Sequence, residues 1–264
     1  MTPKPHRIWI MWTGDTDLRE AVVLLSPLFS AQDRGEAARF RFEKDQHQFL
    51  MARALVRLAL SEEVTVAPNA WRFCRNERSR PYVAAPRLAL PLWFSISHTN
   101  GLVACLVSAL SEAAIDVEKV EQRDGLALVA REAFSPSEQE ALARLAGRDW
   151  TRRFFAHWTL KEAYAKARGL GIGLGLDEIA FNLPETGAIG VRISSTLEDD
   201  LREWKFRTRD LGADHMMSVA ARVGTEAPLD VDVRTIGLNG TGLALRAIAE
   251  EKFAQDVRRL ERAL

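Results

Sequence analysis

Two carboxylates stand two residues apart in the stretch AIDVE at positions 114–118. Alternate side chains of a β-strand point to opposite faces, so Asp116 and Glu118 would share one face of a strand. This alternation is the ordinary pattern of a half-buried strand whose outer face is solvated. It would also suit a pair of hard oxygen ligands for Mg²⁺. The pair alone does not decide between these two interpretations.

A second set of reactive side chains recurs every four residues. Trp158, Glu162 and Lys166 would share one face of a helix, with Phe154 one turn earlier. An exposed Glu–Lys pair at this spacing is common and stabilises a helix only slightly. The aromatic neighbours indicate that this face is partly covered, and a covered Glu and Lys need partners. The face is therefore a candidate site.

Two features could bind an anion. His98 stands at the end of a predicted strand, directly before the hairpin signal Asn100-Gly101. It is either a satisfied turn residue or a donor to phosphate. Between Arg34 and Arg80, ten Lys and Arg oppose six Asp and Glu. Such an excess is typical of a solvated helix face, and it would equally suit a phosphate site.

Helices and strands must position these candidates. Residues from about Asp149 to Arg168 predict the longest helix, which Gly169 ends. Ser135-Pro136-Ser137-Glu138 predicts another helix start, because a Ser cap and a first-turn Pro are followed by a Glu. A third helical pattern runs from Glu36 to about Leu60, with a break near Lys44-Asp45. The other predicted elements are strands near 6–13, 70–75, 81–83, 92–98, 101–109, 113–118, 178–182, 188–194, 203–209, 215–223 and 230–236, and a helix over about 243–264.

The composition excludes several classes of protein. The 264 residues are 47% hydrophobic and 27% charged, as in globular proteins. The 36 Lys and Arg balance 36 Asp and Glu, which argues against a dedicated nucleic-acid binder. Cys74 and Cys105 are too few for a disulfide framework. No apolar run approaches the ~20 residues that span a bilayer. The apolar run nearest the N-terminus, Ile8 to Trp12, is too short for a secretory signal. We therefore expect a cytoplasmic protein that binds neither nucleic acid nor membranes.

Three motifs, taken in order, resemble those of 4′-phosphopantetheinyl transferases of the surfactin-synthetase-activating (Sfp-like) type. They are SISH at 95–98, IDVEK at 115–119 and WTLKEAYAK at 158–166. The resemblance implies an α+β fold of two similar halves in one chain, each a small, mostly antiparallel sheet packed with helices, with the active site between them. We expect an N-terminal half at 1–110, a C-terminal half at 111–225, and a strand-and-helix extension at 226–264.

The resemblance also implies an activity. The enzyme would transfer 4′-phosphopantetheine from coenzyme A to a serine of an apo acyl or peptidyl carrier protein, using Mg²⁺ or Mn²⁺, and release adenosine 3′,5′-bisphosphate. The serine proton would pass to Glu162 or to a water on the metal. The implied site residues are the metal ligands Asp116, Glu118 and Glu162, the catalytic residues Glu162 and Lys166, and the coenzyme A contacts His47, Arg80, Pro81, Ser97, His98 and Lys161.

Two other functions stay open at this point. A Mg²⁺-dependent phosphohydrolase would use the same acids with water as the nucleophile. A non-catalytic module would bind coenzyme A or a carrier protein without transfer. An acidic carrier would favour a basic rim, for which Arg152, Arg153 and Arg168 are candidates. Two similar halves in one chain favour a monomer.

Overall fold

The structure is a computed structural model that describes residues 6–14, 17–78, 80–169, 175–184, 187–194, 199–239 and 242–246. In chain order, its helices and strands are β1 His6–Trp12, α1 Leu18–Leu24, α2 Ala31–Ala37, α3 Glu43–Glu63, β2 Arg72–Arg75, β3 Pro81–Ala85, β4 Trp93–Thr99, β5 Leu102–Ser108, β6 Ala113–Lys119, α4 Leu126–Ala133, α5 Pro136–Ala143, α6 Gly147–Arg168, β7 Ile179–Asn182, β8 Gly190–Ile193, β9 Trp204–Leu211, β10 His215–Arg222, β11 Val231–Asn239 and β12 Gly242–Arg246.

The chain divides into two compact units. The first comprises the described residues up to Ser111 and those from Val231 onward, and the second comprises Glu112–Asp230. Each unit packs a small sheet against helices, so the predicted α+β class and the two halves are confirmed. Among the described helices, none combines the length and the apolar composition that crossing a bilayer requires.

The first unit is built on a five-stranded sheet in the order β12-β11-β1-β5-β4. Only the β1–β11 pair is parallel, and the other pairs are antiparallel. Trp9 of β1 belongs to the same buried apolar cluster as Met51 and Leu55 of α3, so the long helix covers this sheet. The predicted hairpin between β4 and β5 is present, and Gly101 supplies its positive φ of 84°.

The tail of the chain differs from its sequence prediction. Residues 243–246 are predicted to begin a helix, but with Gly242 they form β12, which pairs antiparallel with β11. The backbone groups along the outer edge of β11 would otherwise be unpaired, and this pairing satisfies them. The remainder of the predicted helix, at 247–264, lies outside the described residues.

The predicted helix over 36–60 is interrupted earlier than expected. Helix α2 ends at Ala37, and α3 begins at Glu43 after Phe42, whose backbone is extended with φ −105° and ψ 134°. Glu43 and Asp45 lie in the first turn of α3. Carboxylates there interact favourably with the positive end of the helix dipole, so these residues begin the helix instead of breaking it.

A buried ion pair ties α2 to α3. Ser30 and Asp33 form a reciprocal capping box at the start of α2, and Arg57 of α3 binds the Asp33 carboxylate. Their side chains are only 1% and 2% exposed for Arg57 and Asp33. The Arg57 guanidinium also donates to the carbonyls of Pro68 and Trp71, at 2.8 and 2.9 Å. One cation on α3 therefore holds the start of α2 and the segment 68–71 in place.

The second unit is a three-stranded antiparallel sheet, β6-β10-β9, with α6 packed across it. Two predicted helix boundaries are confirmed. Ser135 and Glu138 form a reciprocal capping box at the start of α5, and Gly169 ends α6 in the left-handed conformation with φ 65°. The hairpin β7–β8 follows, and Phe181 of β7 packs edge-on against Phe206 of β9 with ring centroids 5.0 Å apart.

Replacing Arg57 by Met should lower the free energy of unfolding by about 3 kcal/mol, because the buried Asp33 carboxylate loses its hydrogen-bonded cation and keeps only Arg53, whose Nε lies 3.6 Å from Oδ1. Equilibrium unfolding in urea measures the change. The control is Arg39→Met, at an exposed position just beyond α2, which should shift stability by no more than about 0.5 kcal/mol. Equal stability of the two variants would contradict the assigned role of Arg57.

Candidate active site

Strand β6 and helix α6 carry the predicted acidic residues on surfaces that face each other. Asp116 of β6 is paired across the ladder with Ser218 of β10, so the two side chains lie on the same face of the sheet. The hydroxyls of Ser218 and Thr159 of α6 are 2.7 Å apart and share a hydrogen bond. Helix α6 therefore covers the face that bears Asp116. This face is not solvated, since Asp116 is 4% exposed.

Lys166 reaches this carboxylate from the helix. Its Nζ donates to Asp116 Oδ1 over 2.5 Å, which forms an ion pair between α6 and β6. The Asp116 side chain is 5% exposed and the Lys166 side chain 34%. One partner is thus fixed inside the protein, while the ammonium stays open to water and to a ligand.

Glu162 lies one helical turn before Lys166 and is half-buried. Burial raises the pKa of Glu162, the charge of Asp116 raises it further, and the charge of Lys166 lowers it. The first two causes outweigh the third. The carboxylates of Asp116 and Glu162 therefore repel each other, and one ammonium, that of Lys166, compensates them. Glu162 and Lys166 lie one turn apart on α6, as their spacing in the sequence predicted.

Glu118, the third predicted acid, is held by a different cation. Its Oε2 lies 3.5 Å from Nη2 of Arg123, whose guanidinium stands 5.2 Å from the Phe155 ring centroid. Within the described ranges, no three acidic, His or Cys side chains are gathered closely enough to hold a metal ion. The structure thus brings Asp116 and Glu162 together, and it does not bring Glu118 into the same group.

Lys161 does not lie where the resemblance implied. It is fully buried, and its Nζ binds Glu138 Oε2 at 2.8 Å and the carbonyls of Leu176, at 2.7 Å, and Ile179. Adjacent residues of a helix point about 100° apart, so Lys161 cannot share the face of Glu162. The structure contradicts the expectation that Lys161 contacts coenzyme A. These three acceptors take all three N–H donors of its ammonium, so none is left for a phosphate.

The two predicted histidines of the first unit lie on different elements, His47 on α3 and His98 on β4. His98 is exposed at the end of β4, and Gln48 Nε2 of α3 donates to its Nδ1 over 3.0 Å. His47 directly precedes Gln48 and lines an open depression with Arg19 and Lys44. Sequence reasoning missed Gln48, because its contact with the strand end joins residues fifty positions apart.

The other predicted coenzyme A contacts differ in exposure. Arg80 stands before β3, where its amide donates to Asn76 Oδ1 over 2.9 Å and fixes the β2–β3 turn. Pro81 begins β3 opposite Arg75. Ser97 is buried in β4, since strand alternation turns it away from the exposed side of its neighbour His98.

Each arginine of the suggested carrier rim has an intramolecular partner. Arg152 pairs with Asp210, and Arg168 pairs with Asp199. Arg153 Nη1 donates to the carbonyl of Leu183 over 2.8 Å. These contacts fasten α6 to the segments around it, so a carrier protein would have to compete for the three side chains.

Comparison with known proteins shows the family to which the chain belongs. Residues 112–220 match the model of the 4′-phosphopantetheinyl transferase superfamily, and residues 15–110 match that of the 4′-phosphopantetheinyl transferase N-terminal domain. A phosphopantetheinyl transferase of Thraustochytrium sp. is 32% identical over 72% of this chain and 68% of its own length. The chain belongs to this family. It is therefore a phosphopantetheinyl transferase, an enzyme that transfers phosphopantetheine to carrier proteins.

Further relatives confirm the predicted type. The 4′-phosphopantetheinyl transferase HetI of Nostoc sp. is 30% identical to this transferase over 70% of the chain and 80% of the relative. Sfp of Bacillus subtilis is 27% identical over 73% and 81%. The Sfp-like resemblance drawn from the three motifs is thereby confirmed.

Replacing Asp116 by Asn should lower the pKa of Glu162 in the metal-free transferase. The substitution removes the negative charge that opposes ionisation of Glu162 and frees Lys166 to interact with it. A ¹³C NMR titration of the Glu162 carboxyl measures the shift. Asp124→Asn, at an exposed position, should leave that pKa unchanged, and a higher Glu162 pKa in Asp116→Asn would contradict the assigned repulsion.

Proposed function

We propose that this transferase takes its 4′-phosphopantetheine group from coenzyme A, requires Mg²⁺, and releases adenosine 3′,5′-bisphosphate as it modifies a serine of an apo acyl or peptidyl carrier protein. The observation that carries the proposal is the Asp116–Lys166 ion pair beside Glu162. It gathers two carboxylates and one accessible ammonium on facing elements, which is the charge set that a metal and a phosphate need.

The donor set fits a hard divalent cation. Asp116 and Glu162 would hold Mg²⁺, which commonly binds one or two protein carboxylates and completes its shell with water and phosphate oxygens. The repulsion that raises the pKa of Glu162 supports this assignment, because a cation between the two carboxylates would relieve it. Glu118 would join them only if it left Arg123. When bound, the metal would neutralise charge on the diphosphate.

Glu162 is the proposed general base. The serine oxygen forms a bond to the β-phosphorus of coenzyme A, while the bond between that phosphorus and the oxygen bridging to the α-phosphate breaks. The serine proton passes to a carboxylate oxygen of Glu162, and the electron pair of the broken bond stays on adenosine 3′,5′-bisphosphate. Burial supports this role, since a raised pKa makes Glu162 a stronger base than an exposed glutamate.

Lys166 would act on the leaving group. Its side chain is 34% exposed, so its ammonium could turn from Asp116 towards a phosphate. Negative charge grows on the oxygen that departs, and a positioned ammonium stabilises that charge or supplies a proton. The helical spacing keeps Lys166 one turn from Glu162, which separates the acid and the base along the reacting bond.

The first unit would supply contacts for coenzyme A. His98, at the exposed end of β4, would donate to the diphosphate, and His47 would lie near the 3′-phosphate. Arg19 and Lys44 line the same depression as His47, together with Asp17 and Glu43, so a phosphate there would have to draw Arg19 from its ion pair with Glu43. Arg80, with Pro81, would contact the nucleotide, whereas the burial of Ser97 makes its side chain a poor candidate for a direct contact.

Incubation with coenzyme A, Mg²⁺ and a panel of apo-carrier proteins should show the phosphopantetheine mass gain on a carrier serine. Glu162→Gln should lower turnover by about a hundredfold or more, the usual scale for loss of an acid–base group. Glu140→Gln, at an exposed position of α5, is the matched control and should keep full activity.

The other outcomes of the same assay point to other functions. Release of phosphopantetheine into solution without a carrier would favour a phosphohydrolase. Binding of coenzyme A without Mg²⁺-dependent transfer to any carrier would favour a binding module. Normal turnover of Glu162→Gln would reject Glu162 as the base.

Replacing His47 by Ala should raise the KM for coenzyme A about tenfold, because a hydrogen bond to a charged phosphate is lost. Steady-state kinetics with 3′-dephospho-coenzyme A provide the control. If His47 contacts the 3′-phosphate, the variant and the unaltered enzyme should have equal KM values for this substrate. A tenfold difference that persists with the dephospho substrate would place His47 elsewhere.

A further inference from the structure

A buried carboxylate that the proposed reaction does not use joins three elements of the second unit. Glu138, in the first turn of α5, is 1% exposed. Its Oε1 accepts from the amide of Phe181 in β7 over 2.9 Å, and its Oε2 accepts from the amide of Ser135 over 2.8 Å. Lys161 of α6 contributes the third contact, at 2.8 Å. Glu138 therefore ties α5, α6 and β7 to one another.

The Lys161 ammonium completes this network. Besides Glu138, it donates to the carbonyls of Leu176 and Ile179, which lie in the segment leading into β7. An ammonium has three N–H donors, and these three acceptors use all of them. The Phe134 ring centroid, 5.5 Å from Nζ, covers it further. Lys161 is thus enclosed by protein.

The charges of the cluster balance internally. His157, one turn before Lys161, places Nδ1 3.2 Å from Glu138 Oε1, and burial lowers the pKa of His157. Burial raises the pKa of Glu138, but contacts with His157 and Lys161 outweigh it and hold that pKa at about 2. Glu138 and Lys161 form the ion pair of this cluster. Loss of either alone would leave an uncompensated buried charge.

We propose that Lys161 is a positioning residue for Glu162 and not a ligand of the diphosphate. Lys161 precedes Glu162 directly on α6, so fixing the side chain of Lys161 to Glu138, Leu176 and Ile179 fixes the rotation of α6 about its axis at that point. This rotation decides whether Glu162 faces Asp116. The inference rests on the proposed function, because it treats the Asp116–Glu162 pair as the metal-binding pair.

The test needs a variant that removes both charges. Lys161→Met alone leaves Glu138 buried and unpaired, so the matched variant is the double substitution Lys161→Met with Glu138→Gln. The side-chain amide oxygen that this variant carries at position 138 can still accept from one of the two backbone amides, that of Ser135 or that of Phe181, which bind different oxygens of Glu138. Lys205→Met is the control, since Lys205 also binds backbone carbonyls, but at a more exposed site of the same unit.

Mn²⁺ binding is measured by electron paramagnetic resonance in the absence of coenzyme A. The double variant should bind Mn²⁺ at the same stoichiometry as the unaltered enzyme but about tenfold more weakly. This is the usual loss of affinity when a residue that orients a metal ligand is removed. A merely structural defect would lower the stoichiometry and leave the affinity of the folded fraction unchanged. Metal-free coenzyme A affinity, measured by calorimetry, should stay unchanged.

Two results would overturn the inference. One is an unchanged Mn²⁺ affinity in the folded double variant. The other is a tenfold loss of coenzyme A affinity with normal Mn²⁺ binding, which would return Lys161 to the phosphate site. If the unaltered enzyme binds no Mn²⁺, the metal part of the proposed function fails.

A measurement on the unaltered enzyme decides the matter where the variant does not fold or no Mn²⁺ binds. The ¹⁵N signal of the Lys161 ammonium should be protected from exchange with water, as its three internal acceptors require. It should stay in place when coenzyme A is added. An exposed, rapidly exchanging ammonium, or one whose signal moves on addition of coenzyme A, would overturn the inference.

Discussion

The second unit depends on one ion pair across two elements, that between Asp116 of β6 and Lys166 of α6. A carboxylate on a covered sheet face is costly to desolvate, and it persists only with a cation beside it. Lys166 supplies that cation, but it must serve Glu162 as well. Burial raises the pKa of Glu162, and the charge of Asp116 raises it further than the charge of Lys166 lowers it. A site of this kind favours added positive charge, whereas a structural ion pair would be neutral.

A second buried ion pair in the same helix is balanced, and the contrast is informative. Glu138 and Lys161 neutralise each other and are surrounded by satisfied backbone groups. Lys161 and Lys166 stand only five residues apart, yet one ammonium is enclosed and the other is open to water. Helical geometry accounts for this difference. Five residues rotate by about 500°, about 140° more than one full turn, so the two side chains leave α6 in different directions.

Local signals in the sequence predicted much of this arrangement. The Ser135 cap, the Gly169 stop and the four-residue spacing of Glu162 and Lys166 depend on neighbours in the chain, and such features can be deduced from residue types. Glu138 was recognised only as part of a capping box. Its second role as the partner of Lys161 depends on a contact between α5 and α6, which no local pattern contains. The contact between Gln48 and His98 is non-local in the same way.

The parallel pairing of β1 with β11 makes the first unit discontinuous in sequence. Every other strand of its sheet except β12 is complete by Ser108, whereas β11 begins at Val231. A ribosome must therefore synthesise the entire second unit before the sheet of the first can close. Until then one side of β1 is an open edge with unpaired amides and carbonyls, the kind of surface that recruits other strands. The nascent chain carries this exposed edge for the length of more than one hundred residues.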